Sequence, residues 1–270
     1  MRTEIIAEIG WNFLGDLNLA KQMILAAKSS GADYAKFQTW KVKNLKPGPW
    51  DLDGRRQIYE KAELSEAAHF ELKLYCDYVG IKFLTSCFNK NDLKFIRNLS
   101  DEVKIPSTEC LNDELINKAI KLKFKRIIIS IGATTREEKL DLILGINGGD
   151  TEIVFMHCVS AYPCEAIDVN MSSIDVYRCL LLDKNIGYSG HYAGIEDAQI
   201  AIVKNVGFVE KHFTIDNSLP GRDNKFALLP SDMKRLSEFR DIYYEMSGSN
   251  LELNEKERDM RENYTGRWDA

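Results

Sequence analysis

The sequence predicts an α/β protein, a (β/α)8 TIM barrel, and three observations point to this class. Short β-branched or apolar runs alternate along the chain with longer segments of helical period, which is typical of repeated strand-helix units and a parallel sheet. Eight of each can be counted, which favours closure into a barrel over an open sheet. The length of 270 residues lies near the roughly 250 typical of such a barrel.

The predicted strands are short runs rich in Val, Ile, Phe and Tyr. They are Glu4 to Ile9, Tyr34 to Gln38, Lys82 to Ser86, Glu102 to Pro106, Arg126 to Ile131, Glu152 to His157, Asn185 to Ser189 and Phe208 to His212. The predicted helices begin near Leu17, Ser65, Asn91, Asp113, Arg136, Met171, Ile195 and Ser231. In the first of them, Asp16 is the expected N-cap and Gly31 the stop signal.

The connections and the end of the chain complete the predicted organisation. Lys41 to Arg56 contains prolines and glycines and lacks clean periodicity, so it is expected to be an extended loop over the active face. Residues 1–246 are assigned to the barrel and residues 247–270 to a polar C-terminal tail, too short to form another domain.

Composition excludes several classes of protein. Hydrophobic residues make up 44% of the chain and charged residues 29%, as in ordinary globular proteins. The net charge of -5 argues against nucleic-acid binding. Apolar runs fall far short of the roughly 20 residues that span a membrane. Six cysteines without a CxxC pair, and no secretory signal, favour a reduced cytoplasm.

Polar residues concentrate at the C-terminal ends of the predicted strands, which form the catalytic face of a barrel. A strand that served packing alone would end in apolar residues, because buried polar groups are costly unless they are paired or functional. The residues concerned are Glu8, Lys36, Gln38, Thr85, Ser86, Lys104, Ser107, Glu109, Ser130, the run His157 to Tyr162, Ser189, His191, Lys211 and His212.

Two histidines indicate a metal site. His191 and His212 close neighbouring predicted strands beside Asp223, so their imidazoles are expected to share one ion. Imidazole with oxygen ligands suits Mn²⁺, Fe²⁺, Co²⁺ or Zn²⁺. His157 is assigned to the core and His69 to a helix surface.

Three lysines indicate an anion site. Lys36, Lys104 and Lys211 are expected to bring positive charge to one mouth, which suits a phosphate group. Neutral donors are expected from Ser107, Ser130 and Ser189. Glu8 and Glu109 are read either as general acid and base or as ion-pair partners, and for Glu8 the residues favour neither.

Several ordered motifs resemble those of the N-acetylneuraminate (sialic acid) synthases. The resemblance runs from about Glu4 to Pro230, and the combination is more specific than any single motif. The motifs are Ala7-Glu8-Ile9-Gly10, Lys36-Phe37-Gln38-Thr39, Lys104-Ile105-Pro106-Ser107 with Glu109 and Asn112, His157-Cys158-Val159-Ser160 with Tyr162-Pro163, Gly187-Tyr188-Ser189 with His191, and Glu210-Lys211-His212-Phe213.

The resemblance implies a reaction. Phosphoenolpyruvate (PEP) would condense with an aldose such as N-acetylmannosamine, giving a nine-carbon 2-keto acid and phosphate. His191 and His212 would hold the divalent metal, Mn²⁺ in preference to Mg²⁺ or Co²⁺. PEP contacts would come from Lys36, Lys104, Ser107, Ser130 and Ser189, with Thr85 or Ser86 in addition; sugar contacts would come from Glu8, Gln38, Tyr162 and Asp223. Lys104 would stabilise the departing phosphate, and Glu109 would act near the attacking water.

The departures from the family pattern lie mainly on the sugar side. They are Asn12-Phe13-Leu14-Gly15, Cys87, Ser189-Gly190-His191-Tyr192 and Gly221-Arg222-Asp223-Asn224. Family members usually continue into a small antifreeze-like domain that supplies an arginine to a partner's site, and this chain is expected to lack it. Arg222 is the preferred substitute and Arg267 the alternative. The acceptor sugar and a homodimer are left open.

Two other functions stay open at this point. One is a related synthase that makes an eight-carbon or seven-carbon 3-deoxy-ulosonic acid, and the identity of the aldose separates it from the first. The other is a non-catalytic barrel that binds sugars. The retained lysine, histidine and glutamate set argues against the second, because a binding module has no need of a metal pair.

Overall fold

The computed structural model describes residues 2–181, 186–248 and 251–268, and within them eight parallel strands form a closed barrel in chain order. The strands are β1 Glu4–Gly10, β2 Tyr34–Thr39, β3 Lys82–Cys87, β4 Glu102–Ile105, β5 Arg126–Ser130, β6 Glu152–Cys158, β7 Ile186–Gly190 and β8 Phe208–His212. The predicted (β/α)8 TIM barrel is confirmed. Seven strands begin where they were expected to, and the start expected at Asn185 lies outside the described residues.

Helices follow every strand in the described part of the chain, and none of them is long and apolar enough to cross a membrane. They are α1 Leu17–Ser29, α2 Arg55–Ala62, α3 Glu66–Val79, α4 Leu93–Leu99, α5 Asp113–Lys121, α6 Arg136–Gly145, α7 Ser173–Leu181, α8 Glu196–Val203, α9 Arg222–Phe226, α10 Pro230–Met246 and α11 Arg258–Asn263. All but α2, α9 and α11 correspond to predicted helices.

The capping expected for α1 is present. Asp16 accepts hydrogen bonds from the backbone N–H groups of Asn18 and Leu19, which satisfies two of the free donors of the first turn. Gly31 follows the helix with a φ of +83°, a conformation that side-chain-bearing residues rarely adopt. A Cβ atom there would also lie 2.4 Å from Ser237 Oγ of α10, so this position requires glycine for two reasons.

The expectation for Lys41 to Arg56 was only partly right. The segment is irregular apart from single 3-10 turns at Val42–Asn44 and Pro49–Asp51, but α2 begins within it at Arg55. Helix α2 has few apolar residues, so its period is weak in the sequence. Its Tyr59 ring packs edge-on against Trp11 and Trp40, at centroid distances of 5.6 and 6.2 Å, and this tertiary contact holds the helix over the ends of β1 and β2.

The lower part of the barrel interior is apolar. Inward-facing side chains from six strands form one buried cluster there: Ile6, Tyr34, Leu84, Ile128, Val154, Met156 and Phe208. Below it, the Arg126 guanidinium donates to Glu102 at 2.7 Å and to Glu152 at 2.8 Å, which ties β4, β5 and β6 together at their N-terminal ends. The apolar layer therefore separates these ion pairs from the polar residues in the upper half of the interior.

Helix α10 is fixed to the N-terminal end of the barrel by a buried arginine. Arg240 is 1% exposed and donates to Asp33 Oδ2 at 2.7 Å. The same oxygen accepts from the backbone N–H of Ile5 at 2.8 Å, so the pair links α10 to β1 and to the turn before β2. Helix α10 ends at Met246, and the division into barrel and tail at this point stays a prediction.

We expect Arg240→Met to lower the free energy of unfolding by about 2 kcal/mol, because Asp33 would lose its buried partner and keep only the more exposed Arg2, at 3.1 Å. Urea unfolding followed by circular dichroism measures the change. The control is Lys234→Met on the same helix, whose pair with Glu238 is largely exposed at 3.8 Å and should contribute less than about 1 kcal/mol. Equal effects of the two substitutions would contradict the assignment.

Candidate active site

Four ionisable side chains lie inside the barrel above the apolar layer, and we call them the charge cluster. Its members are Glu8, Lys36, Lys104 and Glu210, none more than 6% exposed. Alternation along each strand explains their position, because residues two apart share a face. In β1, Glu8 therefore follows Ile6 into the interior, and in β8, Glu210 follows Phe208.

Glu210 holds the charge cluster together. Its Oε2 accepts from Lys104 Nζ at 2.7 Å, and its Oε1 lies 3.5 Å from Lys36 Nζ. Lys36 Nζ is also 2.7 Å from Glu8 Oε2. Glu210 belongs to one of the family-like motifs but was not among the predicted site residues. Glu210 lies two residues before His212 on the same strand, and this spacing could have predicted that both face the interior.

The two carboxyl groups of the charge cluster are shifted in opposite directions. Burial raises the pKa of Glu8, although Lys36 opposes this. Burial also opposes the ionisation of Glu210, but Lys104 and Lys36 outweigh it and lower the pKa of Glu210 to about 2. Glu210 is thus the permanent counter-charge of the lysines, and Glu8 is the carboxyl group suited to carry a proton.

The pKa values of the two lysines are also shifted in opposite directions. Burial lowers the pKa of Lys104, and Glu210 only partly offsets this. For Lys36, burial acts in the same direction, but the carboxylates of Glu210 and Glu8 outweigh it and raise the pKa. Lys36 therefore keeps its charge firmly, whereas the charge of Lys104 depends more on its surroundings.

Hydroxyl groups surround the charge cluster. Ser86 Oγ accepts from Lys36 Nζ at 2.9 Å, and Ser189 donates to Glu210 at 3.2 Å. Ser130 Oγ is buried and has no hydrogen-bond partner among the described residues. Ser107 lies nearer the rim, where it accepts from the backbone N–H of Gly132 and donates to Cys158 Sγ at 3.4 Å. Ser130 is thus a free donor beside the lysines.

His191 and His212 lie side by side, with ring centroids 5.4 Å apart. His191 Nδ1 is 2.7 Å from the carbonyl oxygen of Val159, a contact that favours a proton on Nδ1 and leaves Nε2 free. His212 Nδ1 is buried without a hydrogen-bond partner in the described chain, 3.7 Å from Asp223 Oδ2. Burial, with His191 nearby, holds the pKa of His212 well below its usual value, so this imidazole is neutral.

The ligand set is limited to this pair. No group of three or more His, Cys, Asp and Glu side chains in the described residues is placed to hold a metal ion. For His191, burial lowers the pKa but the neighbouring Cys158 outweighs it and raises the pKa. An ion bound to this pair would take its remaining ligands from solvent or substrate.

Loops after β1, β6 and β8 form the rim beside the histidines. Asp223 is buried and accepts from Trp11 Nε1 at 2.7 Å, a contact between residues 212 positions apart. Arg222 donates to Asp223 at 3.2 Å, and its guanidinium stacks 4.4 Å from the centre of the Tyr162 ring. Arg222 is partly exposed at the mouth, whereas Arg267 stacks on Tyr264 and Trp268 within the tail. Trp11 was not among the predicted site residues.

Two further predicted residues lie near the mouth. Gln38, half-buried at the end of β2, donates to Glu8 Oε1. Glu109 ends a 3-10 turn after β4 and accepts from Asn112 at 3.0 Å. Glu109 is outside the charge cluster, so its carboxylate is free of the lysines.

Thr85 does not belong to the anion site, which corrects one prediction. Ser86 faces the interior, so its neighbour Thr85 faces the helices, where its hydroxyl lies 2.8 Å from Thr39 Oγ1. Thr39 in turn contacts His69 Nε2 at 2.8 Å. The assignment of His69 to a helix surface was also wrong, since the residue is 1% exposed. His157 is buried, as predicted, with Nε2 2.7 Å from the Val169 carbonyl.

Lys211 is a second correction. It stands between Glu210 and His212 on β8, so alternation turns it away from the mouth and toward α8. There its Nζ contacts Asp197 at 2.8 Å and the carbonyl oxygen of Tyr192 at 2.7 Å. The anion site therefore has two lysines instead of the expected three.

A barrel with two buried lysines below a histidine pair, all at the C-terminal ends of its strands, defines an enzyme-like site for an anionic ligand. The chain belongs to the NeuB family, whose sequence pattern it matches over residues 23–251.

Named relatives support this placement. N,N'-diacetyllegionaminic acid synthase of Campylobacter jejuni is 36% identical over 251 residues, which cover 87% of this chain and 74% of that protein. Pseudaminic acid synthase of the same species is 30% identical, over 93% of this chain and 77% of that protein. The crystal structure of N-acetylneuraminic acid (sialic acid) synthetase from Leptospira borgpetersenii, in complex with citrate, aligns with a TM-score of 0.84 at 27% identity over 97% of this chain and 91% of that one.

The expected family is therefore confirmed, and so is the expectation of an enzyme of the sialic acid synthase type instead of a binding-only barrel. The names of these relatives differ in the sugar acid that they specify. Which sugar this chain accepts therefore depends on the residues of its own site.

Glu210→Gln should change the pH dependence of stability. A carboxyl group with a depressed pKa stabilises the fold above its unfolded pKa of about 4.3, and this contribution is lost as pH falls toward the folded value of about 2. We expect the variant to be roughly 3 kcal/mol less stable at pH 7, with the difference from wild type narrowing by about 2 kcal/mol at pH 3.

Urea unfolding at a series of pH values measures both quantities. Glu137→Gln, on the exposed surface of α6, is the matched control and should follow the wild-type curve. A constant difference between Glu210→Gln and wild type from pH 7 to pH 3 would show that the Glu210 carboxylate is not stabilised by its lysines.

Proposed function

We propose that the protein condenses phosphoenolpyruvate with a sugar aldehyde of the N-acetylmannosamine type, forming a nonulosonic (nine-carbon 2-keto-3-deoxy) acid and releasing phosphate. The observation that carries this proposal is the convergence of Lys36 and Lys104 on Glu210 directly below His191 and His212. The family membership and the synthases among the relatives support the same reaction.

The charge cluster is suited to a phosphate and a carboxylate. Lys36 and Lys104 face the carboxyl groups of Glu8 and Glu210 in a water-poor interior, where electrostatic interactions are strong. An anion that enters can take hydrogen bonds from Lys36 and Lys104 in place of their glutamates. We assign Ser86, Ser107, Ser130 and Ser189 as neutral donors to PEP, with Ser130 unpartnered and ready.

A divalent ion fits beside this site through His191 and His212. The Val159 carbonyl fixes one imidazole, and the other has a buried nitrogen without a partner, as expected for a ligand pair. The ion would polarise the aldehyde oxygen as a Lewis acid. Imidazole ligands with oxygen from solvent or substrate suit Mn²⁺, our preferred metal, and also Mg²⁺ or Co²⁺.

We assign Glu8 and Glu109 to different steps of the reaction. C3 of PEP forms the bond to the aldehyde carbon, and the aldehyde oxygen takes a proton, for which we assign Glu8 as the acid. Water, oriented by the Glu109 carboxylate, then adds to C2; one of its protons returns to Glu8, the other goes to the phosphate, and the C2–O bond to phosphate breaks. Lys104 stabilises the negative charge of the departing phosphate.

We assign the rim to the acceptor. Gln38, Tyr162, Asp223 and Arg222 present two hydrogen-bonding groups, an aromatic face and a cation at one side of the mouth. Arg222 lies at this rim with its guanidinium over the Tyr162 ring, which supports its role as a cation for the acceptor. The homodimer and the cytoplasmic location stay predictions.

The decisive experiment measures phosphate release from PEP with a panel of aldoses, with and without Mn²⁺. We expect release only with a six-carbon acylamino sugar, abolished by EDTA and restored by Mn²⁺. Lys36→Ala should raise the KM for PEP roughly tenfold or more, because it removes a charge-assisted contact. Full turnover in EDTA would exclude the metal role, and release with a four-carbon or five-carbon aldose phosphate would identify a seven-carbon or eight-carbon product.

Arg222→Ala should raise the KM for the acceptor about tenfold and leave the KM for PEP nearly unchanged, since Arg222 lies at the rim and not in the charge cluster. Steady-state kinetics with each substrate varied measures the two constants. Arg267→Ala is the matched control, because its guanidinium stacks within the tail. If Arg267→Ala impairs acceptor binding and Arg222→Ala does not, the tail supplies the cation.

A further inference from the structure

We infer that the buried Lys211–Asp197 ion pair is a positioning element for the two histidines of the candidate metal site. Both side chains are 2% exposed, on the outer face of the barrel directly behind those histidines. Lys211 immediately precedes His212 on β8, and Tyr192, whose carbonyl oxygen Lys211 binds, immediately follows His191. The inference rests on the proposed metal role of His191 and His212.

The ion pair joins three elements at one point. Lys211 Nζ donates to both oxygens of Asp197, at 2.8 and 3.0 Å, and Asp197 belongs to the first turn of α8. The Tyr188 hydroxyl of β7 donates to Asp197 Oδ2 at 2.8 Å. The third contact of Lys211, at 2.7 Å, is to Tyr192 in the loop between β7 and α8. Strands β7 and β8 are therefore locked to each other where each presents its histidine.

The backbone around His191 is held from two sides. Its carbonyl oxygen accepts from the Cys164 backbone N–H at 2.9 Å, while Lys211 holds the next carbonyl. Packing admits little movement, since a Cβ atom at Gly190 would lie 2.3 Å from Asp197 Oδ2. Since the metal set in the described residues has only two protein ligands, their spacing must come from this backbone and not from further ligands.

Stability alone does not require charges at this place. A buried ion pair is often no more stabilising than a well-packed neutral pair of similar volume, because desolvation offsets the attraction. What the ammonium group adds is three directed hydrogen bonds to two separate elements. These hydrogen bonds fix the position of β8 relative to α8 and to the loop after β7. They therefore fix the distance between the imidazoles of His191 and His212.

The test measures Mn²⁺ affinity by titration with electron paramagnetic resonance of the free ion, alongside the thermal midpoint. Lys211→Met should weaken Mn²⁺ binding about tenfold and lower the midpoint. Lys211→Met with Asp197→Asn removes both charges and keeps the acceptor for Tyr188, so it should recover stability while Mn²⁺ binding stays weak. Arg240→Met, at the opposite end of the barrel, is the matched control and should lower the midpoint without changing Mn²⁺ affinity.

Wild-type affinity in the double variant would overturn the inference, because the pair would then be structural only. Equal loss of affinity in Arg240→Met would overturn it as well, since any destabilisation would suffice. Should Lys211→Met fail to fold, the double variant alone decides. Absence of Mn²⁺ binding by the wild-type protein would instead contradict the proposed metal site itself, and the inference with it, which separates the two failures.

Discussion

Charge compensation by Glu210 is the interaction on which the site depends. Two ammonium groups cannot remain charged in a barrel interior unless an ionised partner offsets their desolvation. Glu210 contacts Lys104 directly and Lys36 at longer range, while the apolar layer below excludes water from that side. The same low-dielectric setting strengthens the attraction that the lysines exert on an entering anion. Glu210, together with Glu8 at 2.7 Å from Lys36, thus keeps the two lysines charged before an anion arrives.

The sequence predicted the barrel well because each strand is a short apolar run with a clear boundary, and seven of the strand starts agree with the structure. It predicted the site less well where the face of a residue mattered. Polar residues near a strand end, apart from His157, were treated as facing the mouth, although alternation sends neighbours to opposite sides. Lys211 and Thr85 were misplaced for this reason, and alternation with His212 would have identified Glu210 as an interior residue.

Other features depend on contacts between distant segments and left no local pattern. Helix α2 is held by Tyr59 against two tryptophans rather than by its own propensity. Trp11 donates to Asp223 across most of the chain length, and Arg222 acquires its place through the Tyr162 ring. The burial of His69 follows from Thr39 on a neighbouring strand. Periodicity reports which face of an element is buried, but not which partner lies opposite.

Two of the departures from the family pattern, Asn12-Phe13-Leu14-Gly15 and Gly221-Arg222-Asp223-Asn224, follow β1 and β8 at the rim. Groups assigned to PEP project mostly from within strands, where register and the closed barrel fix each position to its neighbours, so a change there disturbs the charge cluster as a whole. Apart from Gln38 in β2, the groups assigned to the acceptor project from the loops after β6 and β8, which contact each other and the loop after β1 through side chains such as Trp11, Asp223 and Arg222. A loop can exchange one such contact for another without disturbing the lysines. On the proposed assignments, the reaction depends mainly on residues of the strands, and the choice of sugar depends mainly on residues of the rim.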